Sequence, residues 1–505
     1  MTINLIQFIW GQRVNRRYLL TGMLLNIVLF FIFKLLYPHP FMVLDSYVYI
    51  RPLVEGRSVN SFPMGYTWFL QLFSVFSRSA TLLAWVQHLL LEASCLLFFF
   101  TLLYLFQPGR WVRVLLFLFL FVNPLLLYIS NFIMSDALFT TLSILWITQL
   151  MWIIVRPRAY MVFIHAVLLL LVFTVRYNAL YYPFLASFIL LLSRMRPWLK
   201  VVAIVLQFAL IGSFIQYTRV EMERTSGIRQ FSPFGAWRMA SNALYMYGHI
   251  CLEKKDPVPP RFAALDRLVK DYFNAVRWVD DLSDGRSGGA FYAADPGSPL
   301  LQYMYRKHGP DTAFLNLRTF GDMAPLYSAY GTYLARTYPL DYCRWFLWPS
   351  MTRYAISPTE ICSSLTPFYL RDDDIGKETS GWFHLKTLAV SPVYINFRTI
   401  LLSPYPILLG MAHLAFVLGG LGFVFFRGFK KVERPNAWIF VTVMGFWIID
   451  LFFKITAGAI VLRHQLFLMI LEFAFALLFL DFIYRQRERT PPIDGQGVFN
   501  SSSNK

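Results

Sequence analysis

Charged side chains are scarce: Asp, Glu, Lys and Arg make up 15% of the 505 residues, against 57% hydrophobic and 18% aromatic. That shortage excludes a single soluble core, because the apolar surface far exceeds what one core can hide. Acids are the rarer sign, 28 against 46 Lys and Arg, for a formal charge of +18. A basic excess of that size would suit nucleic acid, but much of it sits in short clusters between apolar runs, the pattern of cytoplasmic loops. Membrane lipids, not nucleic acid, are therefore the expected surroundings. Cysteine is nearly absent. Cys95 lies in an apolar run, and Cys251, Cys343 and Cys362 lie in a polar region where at most one bridge can form. No His/Cys ligand spacing marks a metal site. The amino-terminal region lacks a short apolar core followed by a small-residue cleavage site, so the first apolar run reads as a retained membrane helix that also directs insertion. No inverted or parallel repeat of transporter type appears, nor does any sustained period-two run.

What is present is a series of apolar runs covering roughly half the chain, enough for around ten crossings at about 20 residues each. Arg13, Arg16 and Arg17 precede the run Tyr18 to Leu36 and place residue 1 in the cytoplasm. Further crossings are expected at about 81–106, 113–129, 137–155, 160–175, a sixth ending at Ser193-Arg-Met-Arg196, 199–217, 398–426, 437–456 and 460–483. With that count, every tight basic cluster falls on one side. The expectation is an all-α polytopic membrane protein of about ten transmembrane helices. A mostly helical extracytoplasmic domain lies between the seventh and the eighth. The membrane domain 1–217 holds helices 1–7 and an outer catalytic loop at 38–79, in which Tyr66 to Phe76 forms a short interfacial helix. The outer domain is 218–396, helices 8–10 occupy 397–484, and 485–505 is a disordered cytoplasmic tail. Both termini are cytoplasmic and the membrane is the plasma (inner) membrane.

Two acids fall at the outer end of this arrangement. Asp45 lies in Phe41-Met-Val-Leu-Asp-Ser-Tyr-Val-Tyr-Ile50, and Asp136 in Ser130-Asn-Phe-Ile-Met-Ser-Asp136. Acids contribute little to topology, so Asp45 is a candidate general base, with a second carboxylate to orient it or to share a divalent cation. Asp136 reads equally as the N-cap of the helix that follows. Arg176, Lys454 and Arg463 lie on the same side, where the positive-inside bias expects few cations. They suit a lipid phosphate, although Asp450 stands one turn from Lys454 as a simpler partner. Tyr49, Tyr66, Trp237 and Asn242 are candidate substrate contacts. The segment holding Trp237 and Asn242, Phe231 to Tyr247, reads also as an amphipathic helix seating the domain on the membrane. His88, Glu92 and Glu472, deeper in the apolar runs, read as polar glue between helices. The run Asp372-Asp-Asp374 reads as a solvated loop.

The motifs together resemble the glycosyltransferase C superfamily, in particular protein O-mannosyltransferases and lipid A aminoarabinose transferases. The resemblance rests on Asp45-Ser-Tyr-Val-Tyr-Ile50, Pro63-Met-Gly-Tyr66, Asn123-Pro124, Ser135-Asp136, Arg176-Tyr-Asn178 and Arg463-His464. Two positions depart from the pattern: Ser46 stands where the mannosyltransferases carry a second acid, and His464 where an Arg-Tyr element is usual. The resemblance implies inverting transfer of a sugar from a polyprenyl-phosphate donor to a glycan, lipid or protein acceptor at the outer face. Asp45 would be the base, and Arg176 and Arg463, with Lys454, would hold the leaving phosphate. A secondary transporter or lipid flippase, or a silent scaffold of the same fold, are the competing readings.

Overall fold

A computed structural model describes residues 4–253, 258–276, 291–309, 316–359, 374–385, 400–458 and 460–489. Cys362, Asp372, Asp373 and the tail from 490 lie outside the described residues. Among the described residues the chain is helical, and the one β contact is an isolated bridge between Phe41 and Phe132.

The first part of the chain runs α1 (Leu5–Gly11), α2 (Arg13–Leu36), α3 (Leu44–Glu55), α4 (Gly65–Ser74), α5 (Ala80–Phe106) and α6 (Arg110–Phe121). It continues with α7 (Pro124–Ser130), α8 (Ser135–Val155), α9 (Tyr160–Val175), α10 (Tyr182–Leu192) and α11 (Pro197–Ser226). The middle region holds α12 (Pro233–Ile250), α13 (Ala263–Val276), α14 (Phe291–Ala294), α15 (Pro299–His308), α16 (Leu317–Thr337), α17 (Pro339–Tyr342), α18 (Trp348–Ala355) and α19 (Asp374–Phe383). The chain closes with α20 (Tyr405–Phe425), α21 (Gly428–Lys431), α22 (Arg434–Ala457) and α23 (Leu462–Arg489).

Among the described residues, eight helical stretches are long and apolar enough to cross a membrane: Arg13–Leu36, Ala80–Phe106, Arg110–Ser130, Ser135–Val155, Pro197–Ser226, Ile400–Phe425, Arg434–Ala457 and Leu462–Gln486. Two further apolar helices, Tyr160–Val175 and Tyr177–Leu192, are shorter. By length and composition this is a membrane protein. Asn123 caps α7, accepting from the Leu125 amide at 3.0 Å, and Pro124 stands at the helix start, so the third stretch bends there instead of running straight. The α5, α8 and α23 stretches are the most enclosed, and aromatic rings pack between them and their neighbours. Phe106 of α5 meets Phe475 of α23 edge-on with centroids 6.1 Å apart, and Phe119 of α6 stacks on Phe473 of α23 at 3.9 Å.

Two histidines inside the bundle link polar groups across helices. His413 of α20 meets Glu472 of α23 at 2.6 Å, and its other ring nitrogen lies 2.9 Å from the Tyr354 carbonyl oxygen. Glu472 is thus glue between two crossings. His88 Nδ1 sits 3.3 Å from the Ser130 hydroxyl and stacks on Phe30.

Helices α12 to α17 gather into a second core that caps one end of the bundle, and α18 leads out of it to pack against the bundle, where Tyr354 joins the main core. Helices α12 and α16 approach so closely that a Cβ at Gly331 would lie 2.5 Å from the Met239 carbonyl oxygen. Trp237 is fully buried between Phe320, stacked at 4.2 Å, and the edge of Tyr327, and its indole N–H donates to the Phe320 carbonyl. Asp266 accepts from both the Tyr247 and Tyr330 hydroxyls at 2.8 Å and pairs with Lys270 at 3.0 Å. Burial, with Asp266 adding to it, holds both phenols well above their usual range. The crossing expected at 199–217 does not stop at 217: α11 continues to Ser226, ending at Gly227 with φ 79°, and carries the chain into the cap.

Candidate functional site

Two short helices sit between the first two long ones and build one wall of the site. The segment around Asp45, read from sequence as loop, is helical. Asp45 occupies the first turn of α3, where its charge faces the positive end of the helix dipole. Aromatic and β-branched residues in Leu44–Glu55, and Pro52 inside it, conceal a helix that tertiary packing supplies. Helix α4 follows, laid against the end of α9 so tightly that a Cβ at Gly65 would lie 2.5 Å from the Thr174 carbonyl carbon.

Asp136 lies in the first turn of α8, but it is not the cap. The N-cap position is Met134, without a side-chain hydrogen bond, and the Asp136 carboxylate turns to two arginines. Arg176, just beyond the end of α9, places Nη2 2.9 Å from Asp136 Oδ1 and donates from Nε to Ser135 Oγ at 3.0 Å. Arg463, at the start of α23, lies 3.5 Å from Asp136 Oδ2 and 3.0 Å from Asp45 Oδ2. One guanidinium thus bridges carboxylates 91 residues apart in sequence, Asp45 and Asp136. Exposure separates the two acids: the Asp45 side chain is 28% accessible, that of Asp136 1%. Asp136 is the buried holder of the two arginines and Asp45 the carboxylate open to a ligand.

This cluster forms part of the wall of a cavity of about 750 Å³ between the bundle and the cap. Asp45, Tyr49, Arg176, Lys454 and Arg463 line it from the bundle, and Phe234, Arg238 and Asn242 from the cap. Phe62, from the segment between α3 and α4, meets Phe234 edge-on at 4.9 Å across the opening. Lys454 is held on three sides, 3.1 Å from Asp450 Oδ2, 2.7 Å from Gln465 Oε1 and 3.2 Å from the His464 carbonyl oxygen. Asp450 is in turn tied to the hydroxyls of Tyr181, at 2.5 Å, and Tyr354, at 3.0 Å. Tyr354 comes from α18, the helix that leads out of the cap onto the bundle, and has no counterpart among the sequence candidates. Neither its composition nor its spacing marks it.

The remaining candidates divide. Tyr49 lines the cavity, with its hydroxyl 2.8 Å from Ser135 Oγ, and burial pushes its pKa up to about 12 against the pull of Arg176. It is a neutral hydrogen-bonding group. Tyr66 is fully buried behind Tyr49, edge-on at 4.9 Å, and donates to Gln87 at 2.7 Å. Gln87 in turn donates to the Ser130 and Phe132 carbonyls, so Tyr66 braces the turn that presents Asp136 and does not face the cavity. Trp237 belongs to the cap core and does not reach the cavity either. Asn242 does line it, but its amide donates to the Ala457 carbonyl at 3.1 Å, beside Arg238, which donates to the same oxygen at 3.2 Å. Both clasp the end of α22. Among the described residues no group of three or more His, Cys, Asp or Glu side chains is placed to hold a metal ion.

Comparison of the chain with protein-family models, with curated proteins and with solved structures gives no match.

Proposed function

We propose that the protein is an integral-membrane glycosyltransferase that moves a sugar from a polyprenyl-phosphate donor to an acceptor at the extracytoplasmic face. The observation that carries this reading is the pairing, in one cavity wall, of an accessible carboxylate, Asp45, with cations from three separate helical segments, Arg176, Lys454 and Arg463. The resemblance of the motif order to the glycosyltransferase C superfamily points the same way. In this reading the two shorter helices also cross, giving ten spans. The 16 residues of α9 reach about 24 Å at 1.5 Å per residue, short for a hydrocarbon core but sufficient in a locally thinned layer. Ten spans put the cavity and the cap outside, the basic clusters and both termini inside, and the chain in the plasma (inner) membrane.

The charges suit the reaction. Asp45 and Asp136 balance Arg176 and Arg463, two against two, and Asp450 balances Lys454, while Arg229 and Arg238 add further positive charge to the cavity lining, which favours an anion. A phosphate-linked sugar brings negative charge. The acceptor oxygen attacks the anomeric carbon and its proton passes to Asp45. The bond from that carbon to the phosphate oxygen breaks, with inversion, and the electron pair leaves on the phosphate. Neutralising Asp45 releases Arg463 from its closest carboxylate at the moment the phosphate gains charge, so the guanidinium stabilises the transition state more than the ground state. Asp136 keeps Arg176 and Arg463 in place throughout. A divalent cation at the two acids would have to displace Arg463 from both.

The test is transfer of a radiolabelled sugar from polyprenyl-phosphate donors in membranes containing Asp45→Asn. Loss of transfer by at least about a hundredfold, with normal insertion, is expected for a general base. Full activity in this variant sinks the assignment. Transport or scaffolding that survives it would instead favour a transporter, flippase or silent scaffold.

A further inference from the structure

At the end of the bundle away from the cap, the carboxyl ends of α8 and α10 meet the start of α22 around a cavity of about 180 Å³. Its floor is apolar, made by Ile154, Ile189, Leu192 and Trp438, and its rim carries two cations, Arg194 and Arg434. Four basic side chains at this end are engaged. Arg156 stacks over Tyr104, Lys200 donates to the Leu191 carbonyl at 2.6 Å, Lys431 donates to Gln486 and Arg485 pairs with Asp481. The guanidiniums of Arg194 and Arg434 have neither hydrogen bond nor ion pair among the described residues.

We propose that this cavity binds the headgroup of an anionic phospholipid, with the phosphate held between Arg194 and Arg434. Two forked donors from different segments converge on one concave spot, which suits a phosphate better than a point charge. The amino end of α22, with Pro435 in its first turn and no side-chain cap, adds favourable dipole. The occupant is a lipid and not a free anion because the floor is apolar and continues into the exposed apolar side chains Phe188 and Leu191 of α10, along which acyl chains would lie. Trp438 stands where an aromatic ring commonly marks the boundary of the hydrocarbon layer. Basic pockets between membrane helices recognise lipid headgroups in this way. The site is remote from the cavity at the cap and does not depend on the reaction proposed for it.

The full chain, purified in mild detergent, is exchanged into phosphatidylglycerol, phosphatidylcholine or inorganic phosphate and examined by native mass spectrometry. One phosphatidylglycerol should persist per chain at collision energies that strip phosphatidylcholine. It should be lost in Arg194→Gln/Arg434→Gln and kept in Arg158→Gln/Arg196→Gln, which removes equal charge at the same end. Phosphatidylglycerol should also raise the Tm of the wild type and of the control pair but not of Arg194→Gln/Arg434→Gln, a readout that reports folding of each variant. Equal retention in both double variants overturns the site, and retention of inorganic phosphate with no preference for the lipid overturns the lipid assignment.

Discussion

Removing the Asp136 carboxylate would leave Arg176 without its carboxylate partner and Arg463 with Asp45 alone, both guanidiniums being largely buried. Uncompensated buried charge is expensive, about 3 kcal/mol or more when one partner of a buried pair is lost. Asp45 is partly exposed and meets a single guanidinium, so its removal costs about 1 kcal/mol or less. Asp136→Ala should therefore lower the Tm in detergent clearly more than Asp45→Ala, while Asp45→Asn is the stronger lesion for transfer. An equal or reversed order of stability loss would show that the two carboxylates have not divided the roles in this way. These charged residues are legible in the sequence because ionised groups among apolar runs are rare and must be matched. Tyr66, Trp237 and Asn242 are not legible, since an aromatic ring or an amide fills a core, braces a turn or contacts a ligand without changing composition. Only the packing separates Tyr49 at the cavity from Tyr66 one layer behind it.

At the scale of elements, the end of α22 decides how the cap sits. Gly458 follows it with φ 72° and ψ −174°, a backbone conformation open essentially only to glycine. A Cβ there would also lie 2.5 Å from Asn242 Oδ1. Gly458→Ala should cost on the order of 1–3 kcal/mol from the backbone alone and push Asn242 off the Ala457 carbonyl. Limited proteolysis should then cut the turn at Gly458, between α22 and α23, faster than in the wild type. An unchanged digestion pattern and Tm would mean that the clasp contributes nothing. The turn at Gly458 is visible in the sequence as a short break between two apolar runs. The clasp is not, because its donors come from more than 200 residues earlier. The same asymmetry holds for the segment before α5: the apolar pattern of Tyr66 to Phe76 announces a helix, and α4 is there. Helix α3 is hidden because its residues are poor helix formers held by neighbours.

For the molecule as a whole, bundle and cap behave as one body only if something rigid passes between them, and Asp450 is that junction. It is buried on α22 and takes hydroxyl donors from Tyr181 and from Tyr354 of α18, the helix that leads out of the cap onto the bundle, while pairing with Lys454 at the cavity wall. Tyr354 is fixed a second time through its backbone carbonyl against His413, which Glu472 holds from the far side. A continuous polar chain thus runs from the interior of the bundle through α18 to the cation beside the cavity. Asp450→Asn preserves the shape but removes the charge, leaves Lys454 with only neutral partners and replaces one acceptor oxygen by a donor that faces a hydroxyl. About 3 kcal/mol is expected from the unpaired ammonium, part of it recovered through Gln465. Two readouts should move together. The Tm should fall, and polyprenyl phosphate should bind more weakly, because a loosened α18 no longer holds Lys454 toward the cavity. Tyr354→Phe, which keeps the charge pair but cuts the tie to α18, should weaken binding with a smaller loss of Tm. If Tyr354→Phe binds as the wild type while Asp450→Asn does not, α18 plays no part in placing Lys454 and the junction is an ion pair alone.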